Sequence, residues 1–564
     1  MKFKDMPYER IDLEETKNRL VPLLESFEKA SSGKEQFEIH QAFTEIYAHY
    51  LTMADLSYVR YTLNTEDSFY QEERDYYDEN SPYFQKLMTD FYKIMIKSPY
   101  RAELEEIMGS LAFENAEIQL KAFDERIIPF MQEENKLCTT YSKLIASASF
   151  EFDGKTLNLP MLGFYMEHED REIRRAAYKK RTEFFVEHSS ELDEIYDKLV
   201  KLRTQMAKAL NLENYVPLGY LRMKRNDYDA QKVAAFRKQV KEDLVPLCNA
   251  INDKRREHLG LDKLSFIDEP LFYPEGNPKP MGTPEEIFEN GKKMYSELSP
   301  ETSEFFKFML DNELFDCLSK KGKASGGYQI TLQDFKSPFV FANFNGTSGD
   351  IDVLTHECGH AFEAYVTRNF PILEHLDIGM ETAEIHSMSM EFFTGSWMPL
   401  FFYENSDKYL YMHLASALLF LPYGCMVDEF QHLVYENPDM TPDQRKEVWQ
   451  NLEKVYKPHL NYEDDPFFGK GRAWQRQSHI YEAPFYYIDY CLAQFCALQY
   501  KIKSVENFPE AWDSYLNLVG KGAKLKFTKL IEEAGLNSPF EEGSVKKLAE
   551  KVSILLNQYE DSIV

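Results

Sequence analysis

The chain has 564 residues, 43% of them hydrophobic and 28% charged, a composition that buries a large core and excludes a disordered or fibrous protein. Its 65 Lys and Arg against 94 Asp and Glu leave a net charge of −29, which repels phosphate backbones and anionic lipids and so argues against nucleic acid and membrane surfaces as partners. The seven cysteines are scattered with no CxxC pair, which excludes a disulfide framework.

The N-terminus, MKFKDMPYERIDLEE, has no apolar stretch of the secretory kind. From about residue 12 to 147, apolar positions recur every three to four residues, as in Leu13, Leu20, Leu23, Leu24 and Phe27, predicting long amphipathic helices. SASFEFDGKTLNLP predicts a small β-element or loop. Helices resume at EDREIRRAAYKKRTEFFVEH and run to about residue 260. Residues 264–284, rich in Pro and Gly, read as an extended connector. Thr283-Pro284-Glu285-Glu286 has the cap and first-turn pattern of a new helix. Between 322 and 350, β-formers alternate with Gly-rich turns and predict a small hairpin or sheet; beyond Asp350, expected as a helix N-cap, the chain reads as helical to its end. The longest apolar run, Leu414 to Val427, is too short to cross a bilayer and contains Pro422 and Gly424. With no repeat and no flexible linker, the expectation is one compact, mainly α unit of two lobes, residues 1–185 and 186–564, located in the cytoplasm.

His356-Glu357-Cys358-Gly359-His360 carries the chemistry. Histidines at i and i+4 share one helical face and can converge on one metal ion, while Glu357, about 100° round the helix, can reach a metal-bound water without ligating the ion. Gly359 removes a side chain between the two ligands, which would let another element approach. Cys358 points away from the histidine face and reads as a packing residue rather than a ligand. A catalytic zinc takes three protein ligands and keeps one position open. The helical stretch IGMETAEIHSMSMEFFTGSW offers Glu381, Glu384, His386 and Glu391; Glu384 is the expected third ligand. Glu391 is either a carboxylate that orients a ligating imidazole or a solvated helix residue.

Further on, SHIYEAPFYYIDYCLAQF places His479, Tyr481, Tyr486, Tyr487 and Tyr490 within twelve residues. Tyr487 and Tyr490, at i and i+3, can present two phenols on one face, either to a substrate or to the core. FFGKGRAW is a Gly-containing loop able to flex over a substrate. Phe339 to Phe344 is either an edge strand to which a peptide adds, with Ala342 and Asn343 meeting substrate, or plain sheet core.

Together these residues resemble the oligoendopeptidase F branch of the thimet oligopeptidase family of zinc metallopeptidases. The resemblance is carried by EDREIRRAAY (169–178), KPMGTPEEIFENGKKMY (279–295), FNGTSGDIDVLTHECGHAF (344–362), ETAEIHSMSMEFF (381–393), LPYGCMVDEFQH (421–432) and HIYEAPFYYIDY (479–490). It implies one Zn2+ per chain on His356, His360 and Glu384, with Glu357 as general base. It also implies that His479 and Tyr490 polarise the scissile carbonyl and that Tyr487 meets substrate backbone. The thimet branch has a glycine-rich loop with a further tyrosine after the histidine; here the residues are IYEAPF, and both Tyr481 and Tyr486 are candidates for it.

The implied fold is mainly helical, two lobes around a deep channel that admits oligopeptides and excludes folded proteins. The implied reaction is hydrolysis of internal bonds of short unfolded peptides by Glu-assisted attack of zinc-bound water. A carboxypeptidase or dipeptidyl carboxypeptidase, and an inactive peptide-binding protein, are the alternatives on the same scaffold.

Overall fold

A computed structural model describes residues 1–563. The first five α-helices, Leu13–Lys29, Gly33–Leu63, Ser68–Ile96, Arg101–Met108 and Ser110–Ala122, follow the amphipathic pattern closely. The first three begin at side-chain caps: Asp12 accepts from the Glu15 amide, Ser32 from that of Glu35, and Asp67 from those of Phe69 and Tyr70. Their inward residues, among them Leu20, Phe43, Phe84, Phe91 and Phe113, form a hydrophobic core of their own, with Tyr50 stacked on Phe84 at 3.8 Å between centroids.

A second, larger core takes in most of the remaining chain. It is built around α1 (Arg171–Ala209), α2 (Gly349–Thr367), α3 (Met380–Phe393), α4 (Ser406–Glu436) and α5 (Tyr487–Glu506). The expected helix start at Thr283 is present: its hydroxyl accepts from the Glu286 amide at 3.3 Å, Glu286 accepts from the Thr283 amide at 2.7 Å, and Pro284 opens the helix. The apolar stretch around α4 is longer than the sequence run suggested. Pro399–Glu436 passes the length and composition test for a membrane span, yet 72% of its apolar window is buried within the protein, as befits the central helix of a core.

Strands occur in two places. The predicted element after residue 147 is a hairpin, β1 (Phe150–Phe152) antiparallel to β2 (Lys155–Leu157). The second sheet has three strands, β3 (Phe315–Leu318), β4 (Tyr328–Leu332) and β5 (Ser337–Phe344), in the order β3-β5-β4, with β3 parallel and β4 antiparallel to β5.

This order corrects the edge-strand expectation. β5 is the central strand, paired along both edges, and its run Phe339-Val340-Phe341-Ala342 is buried on both faces. Ala342 is fully buried and its carbonyl accepts from Lys323 Nζ at 2.5 Å; the Asn343 amide donates to the carbonyls of Ala324 and Gly326 at 2.9 and 2.8 Å. Both residues therefore fasten the 323–327 loop to the sheet, and the outer strands are β3 and β4. Asp350 is likewise not the N-cap. It lies in the first turn of α2, where its carboxylate accepts the Asn345 and Gly346 amides at 2.8 Å each, because Gly346, at φ +88°, folds the preceding loop back over the helix start.

Candidate active site

On α2, His356 and His360 stand one turn apart with ring centroids 5.0 Å from each other. The helix that meets them is α3, and Gly359 sets the approach. A Cβ there would sit 2.5 Å from Ser387 Cα and 2.6 Å from the His386 carbonyl oxygen, backbone atoms that have nowhere to go. Without that methyl, α3 lies close enough for Glu384 to reach both imidazoles. Its Oε2 is 3.2 Å from His356 Nε2 and 3.3 Å from His360 Nε2. Replacing Gly359 with Ala is expected to push the two helices apart, to cost about 1–3 kcal/mol in chemical unfolding, and to weaken metal binding in parallel. A variant as stable and as metal-avid as wild type would show that the contact is slack.

The ligand atoms of His356, His360 and Glu384 all lie within 4.8 Å of one another. Ligands at about 2.0–2.2 Å from one tetrahedral ion stand roughly 3.3 Å apart, which the two separations from Glu384 to the imidazoles match. The donor set, two imidazoles and one carboxylate with Glu384 itself 1% exposed, is also what such an ion takes.

Glu391 is hydrogen-bonded rather than solvated. His356 Nδ1 donates to its Oε1 at 2.7 Å, which leaves the Nε2 lone pair free for a metal, and its Oε2 pairs with His413 Nε2 at 2.8 Å. Burial pushes the Glu391 carboxyl up, but the hydrogen bonds from His356 and His413 outweigh it and hold it below its ordinary range. His413 lies 3.9 Å from Asp352, to which the Tyr409 hydroxyl donates. Sequence reasoning missed His413, Asp352 and Tyr409; Asp352, one turn before His356 on the same helix face, was the available signal. Glu391→Ala should lower metal affinity about 10- to 100-fold, measured by competition with a chelator.

The other acidic and histidine candidates on α3 go elsewhere. Glu381 is buried, and burial together with Asp489 pushes its carboxyl up to about 8. His386 is buried with neither ring nitrogen hydrogen-bonded, and burial, then the neighbouring His360, pushes it down to about 3. Cys358 is fully buried and faces Tyr295, and all seven cysteines are free thiols.

Glu357 is buried and its Oε2 has no partner. Burial raises its pKa, while His356 and His360 pull it back. Beside it lies the start of the outer strand β4: a Cβ on Gly327, which precedes β4, would be 3.2 Å from Glu357 Oε1. The glycine thus leaves room beside the carboxylate, and backbone there can meet an extended chain.

Across from α2, the short helix Ser478–Glu482 and the start of α5 supply the remaining groups. His479 Nε2 is 3.2 Å from the Tyr490 hydroxyl. Tyr423 donates to Gln477 Oε1 at 2.8 Å, and the Gln477 amide donates to His479 Nδ1 at 2.9 Å. Accepting at Nδ1, the imidazole carries its proton on Nε2, and burial pushes its pKa down to about 4, so at pH 7 it is a neutral donor. Gln477 and Tyr423 were not anticipated; their effect depends on chain segments that only the fold brings together.

Of the tyrosines, Tyr486 donates to Glu384 Oε1 and stacks near Tyr490, centroids 4.8 Å apart. Tyr487 packs between Phe420 and Tyr423 with its ring 5.0 Å from His479. Tyr481 leaves the site altogether, fully buried and stacked on Tyr141 at 4.0 Å. Tyr487 and Tyr490, at i and i+3, are neighbours with ring centroids 5.4 Å apart, and Tyr486 adds a third phenol, on Glu384. The loop FFGKGRAW is packed rather than free to flex, with Phe467, Phe468 and Trp474 buried.

This constellation agrees with what the chain is similar to. The model of peptidase family M3 matches residues 164–276 and 293–550, and that of the peptidase M3 N-terminal domain matches residues 3–123. The chain belongs to peptidase family M3. Within the family, this M3 chain is 24% identical to oligopeptidase PepF of Bacillus subtilis over 395 residues, 66% of this chain and 55% of that protein, so the match spans little more than half the relative's length. It is 22% identical to an oligoendopeptidase F homologue of Lactococcus lactis over 483 residues, 79% of this chain and 76% of that one. Among solved structures, Pz peptidase A with an inhibitor has a TM-score of 0.98 at 48% identity, covering 99% of both chains. A Bacillus anthracis str. Ames structure assigned to oligoendopeptidase F has a TM-score of 0.94 at 46% identity, covering 100% of this chain and 99% of that one. The oligoendopeptidase F resemblance read from the sequence holds for this M3 peptidase, as does the mainly helical fold with small sheets.

Proposed function

We propose that the protein is a zinc-dependent oligoendopeptidase that hydrolyses internal bonds of short, unfolded peptides. The observation that carries this reading is the convergence of His356, His360 and Glu384 on one point, with Glu357 unpartnered beside it and the donors of His479 and Tyr490 opposite. Zinc held by the three ligands would polarise the scissile carbonyl and activate the attacking water.

The chain's own groups do the rest. Glu357, raised by burial, takes the proton of the water as it attacks and returns it to the leaving amine. His479, its proton fixed on Nε2 by Gln477, and Tyr490 donate hydrogen bonds to the oxyanion that forms on the carbonyl. The Tyr486 hydroxyl holds Oε1 of Glu384 and so directs Oε2 toward the imidazoles. The β4 edge at Gly327 offers main-chain hydrogen bonds to an extended substrate beside Glu357.

A fluorescence-quenched peptide blocked at both ends tests the reading directly. Cleavage that a chelator abolishes and zinc restores is the expected result. Cutting confined to peptides with an open C-terminus would instead make the enzyme an exopeptidase, and no chelator-sensitive cutting would leave a binding protein.

A further inference from the structure

Between α1 and the segment after α4 lies a cavity of about 530 Å³ whose wall mixes charged side chains with aromatic ones, among them Tyr178, Phe266, Tyr423 and Trp449. Two arginines face it, Arg181 from α1 and Arg476 from the turn before His479. Neither forms an ion pair with any carboxylate among the described residues, in a chain with 94 acidic groups. The Arg181 guanidinium has a single polar contact, the Met166 sulfur at 3.9 Å, and the Nε of both arginines is buried without a partner. The Arg476 guanidinium lies 5.8 and 5.9 Å from the ring centres of Tyr423 and Phe468.

The carboxylates that line the same cavity are already engaged. Glu269 is ion-paired with Lys457, Glu453 accepts from Trp449 at 2.7 Å and Tyr462 at 2.6 Å, and Glu167 meets the Asn277 amide at 3.5 Å. Burial, and then the charge of Arg476, push Arg181 down to about 10. Two half-buried arginines on one cavity, each with a buried Nε that has no partner, leave donors that an anion can join.

The cavity adjoins the reaction centre. Tyr423 lines it and donates to Gln477, the neighbour of Arg476 in the chain and the residue that positions His479. We propose that Arg181 and Arg476 form a recognition site for a carboxylate of the bound peptide, its C-terminal carboxylate or an Asp or Glu side chain, to one side of the scissile bond. The aromatic wall accommodates the apolar part of the same residue, and planar guanidiniums suit a carboxylate bidentately. This inference rests on the peptidase reading above and adds a substrate preference to it.

Two pairs of quenched peptides test it on the intact enzyme: one pair ending in a free acid or an amide, the other carrying Glu or Gln at one internal position. In one pair, wild type should favour the carboxylate member roughly 10- to 100-fold in kcat/KM, mainly through KM, and that pair names the source of the carboxylate. In the double variant R181Q/R476Q the ratio should fall to near one, and in R181K/R476K it should recover in part. Should the double variant fail to fold, the wild-type ratio and its decline with rising salt keep the question open to decision. A wild-type ratio near one in both pairs, or a ratio that survives in R181Q/R476Q, overturns the arginine site while leaving the peptidase reading intact. Wild type that cleaves none of the four peptides overturns that reading itself.

Discussion

Replacing Glu357 with Gln is expected to lower kcat about 10²- to 10⁴-fold while leaving the metal content and the melting temperature close to those of wild type. The amide keeps the shape of the carboxylate and cannot take a proton. Glu357 is not among the three groups that converge as ligands, so its charge is not needed to hold the ion. Its Oε2 makes no hydrogen bond, so the substitution breaks no contact on that side. The buried carboxylate is costly in its charged form, and a neutral amide in its place is expected to match or slightly exceed wild-type stability. Metal analysis and quenched-peptide kinetics on the same preparation check both halves. Turnover within a few-fold of wild type would remove Glu357 as the base, and loss of metal would make it a ligand instead.

The second large effect concerns the opposite wall. Tyr490→Phe and His479→Ala should each reduce kcat about 10²- to 10³-fold with little change in KM if, as proposed, each donor meets the oxyanion and not the ground-state carbonyl. The two groups stand 3.2 Å apart, so they share one oxygen of the transition state and their effects should be less than additive. Gln477→Glu discriminates further. A carboxylate beside Nδ1 would draw the imidazole proton to that nitrogen or charge the ring, and kcat should fall with a new pH dependence in the acid range, whereas Gln477→Met should lower kcat without one. If Tyr490→Phe raised KM and left kcat alone, the phenol would be a substrate-binding group only.

What the sequence made legible was local. The i, i+4 spacing in HECGH is enough to place two imidazoles on one face, and the Thr283 capping box forms from four consecutive residues. The closeness of α3 to Gly359 was also foreseeable, since a glycine between two ligands has few other purposes. What was hidden depends on partners distant in the chain. Phe339 to Phe344 reads equally well as edge or centre until β3, some twenty residues upstream, is seen to pair on its second side. The fate of Glu391 turned on His413, a residue on another helix that no spacing rule connects to it. Tyr481, Tyr486, Tyr487 and Tyr490 are chemically alike in the sequence; the break between the short helix and α5 decides that Tyr486 reaches Glu384 while Tyr481 enters the core. The arginines facing the cavity beside the site lie in distant segments that no motif or spacing links.

On the proposed reading, His356, His360 and Glu384 hold one catalytic metal ion. Titration of zinc into metal-free enzyme, followed by cleavage of a blocked peptide, tests it most directly. No cleavage is expected before addition, then a linear rise and a sharp break at one zinc per chain, with no recovery in Glu384→Ala at the same concentrations. Cleavage by the metal-free protein, or full recovery in Glu384→Ala, would contradict it.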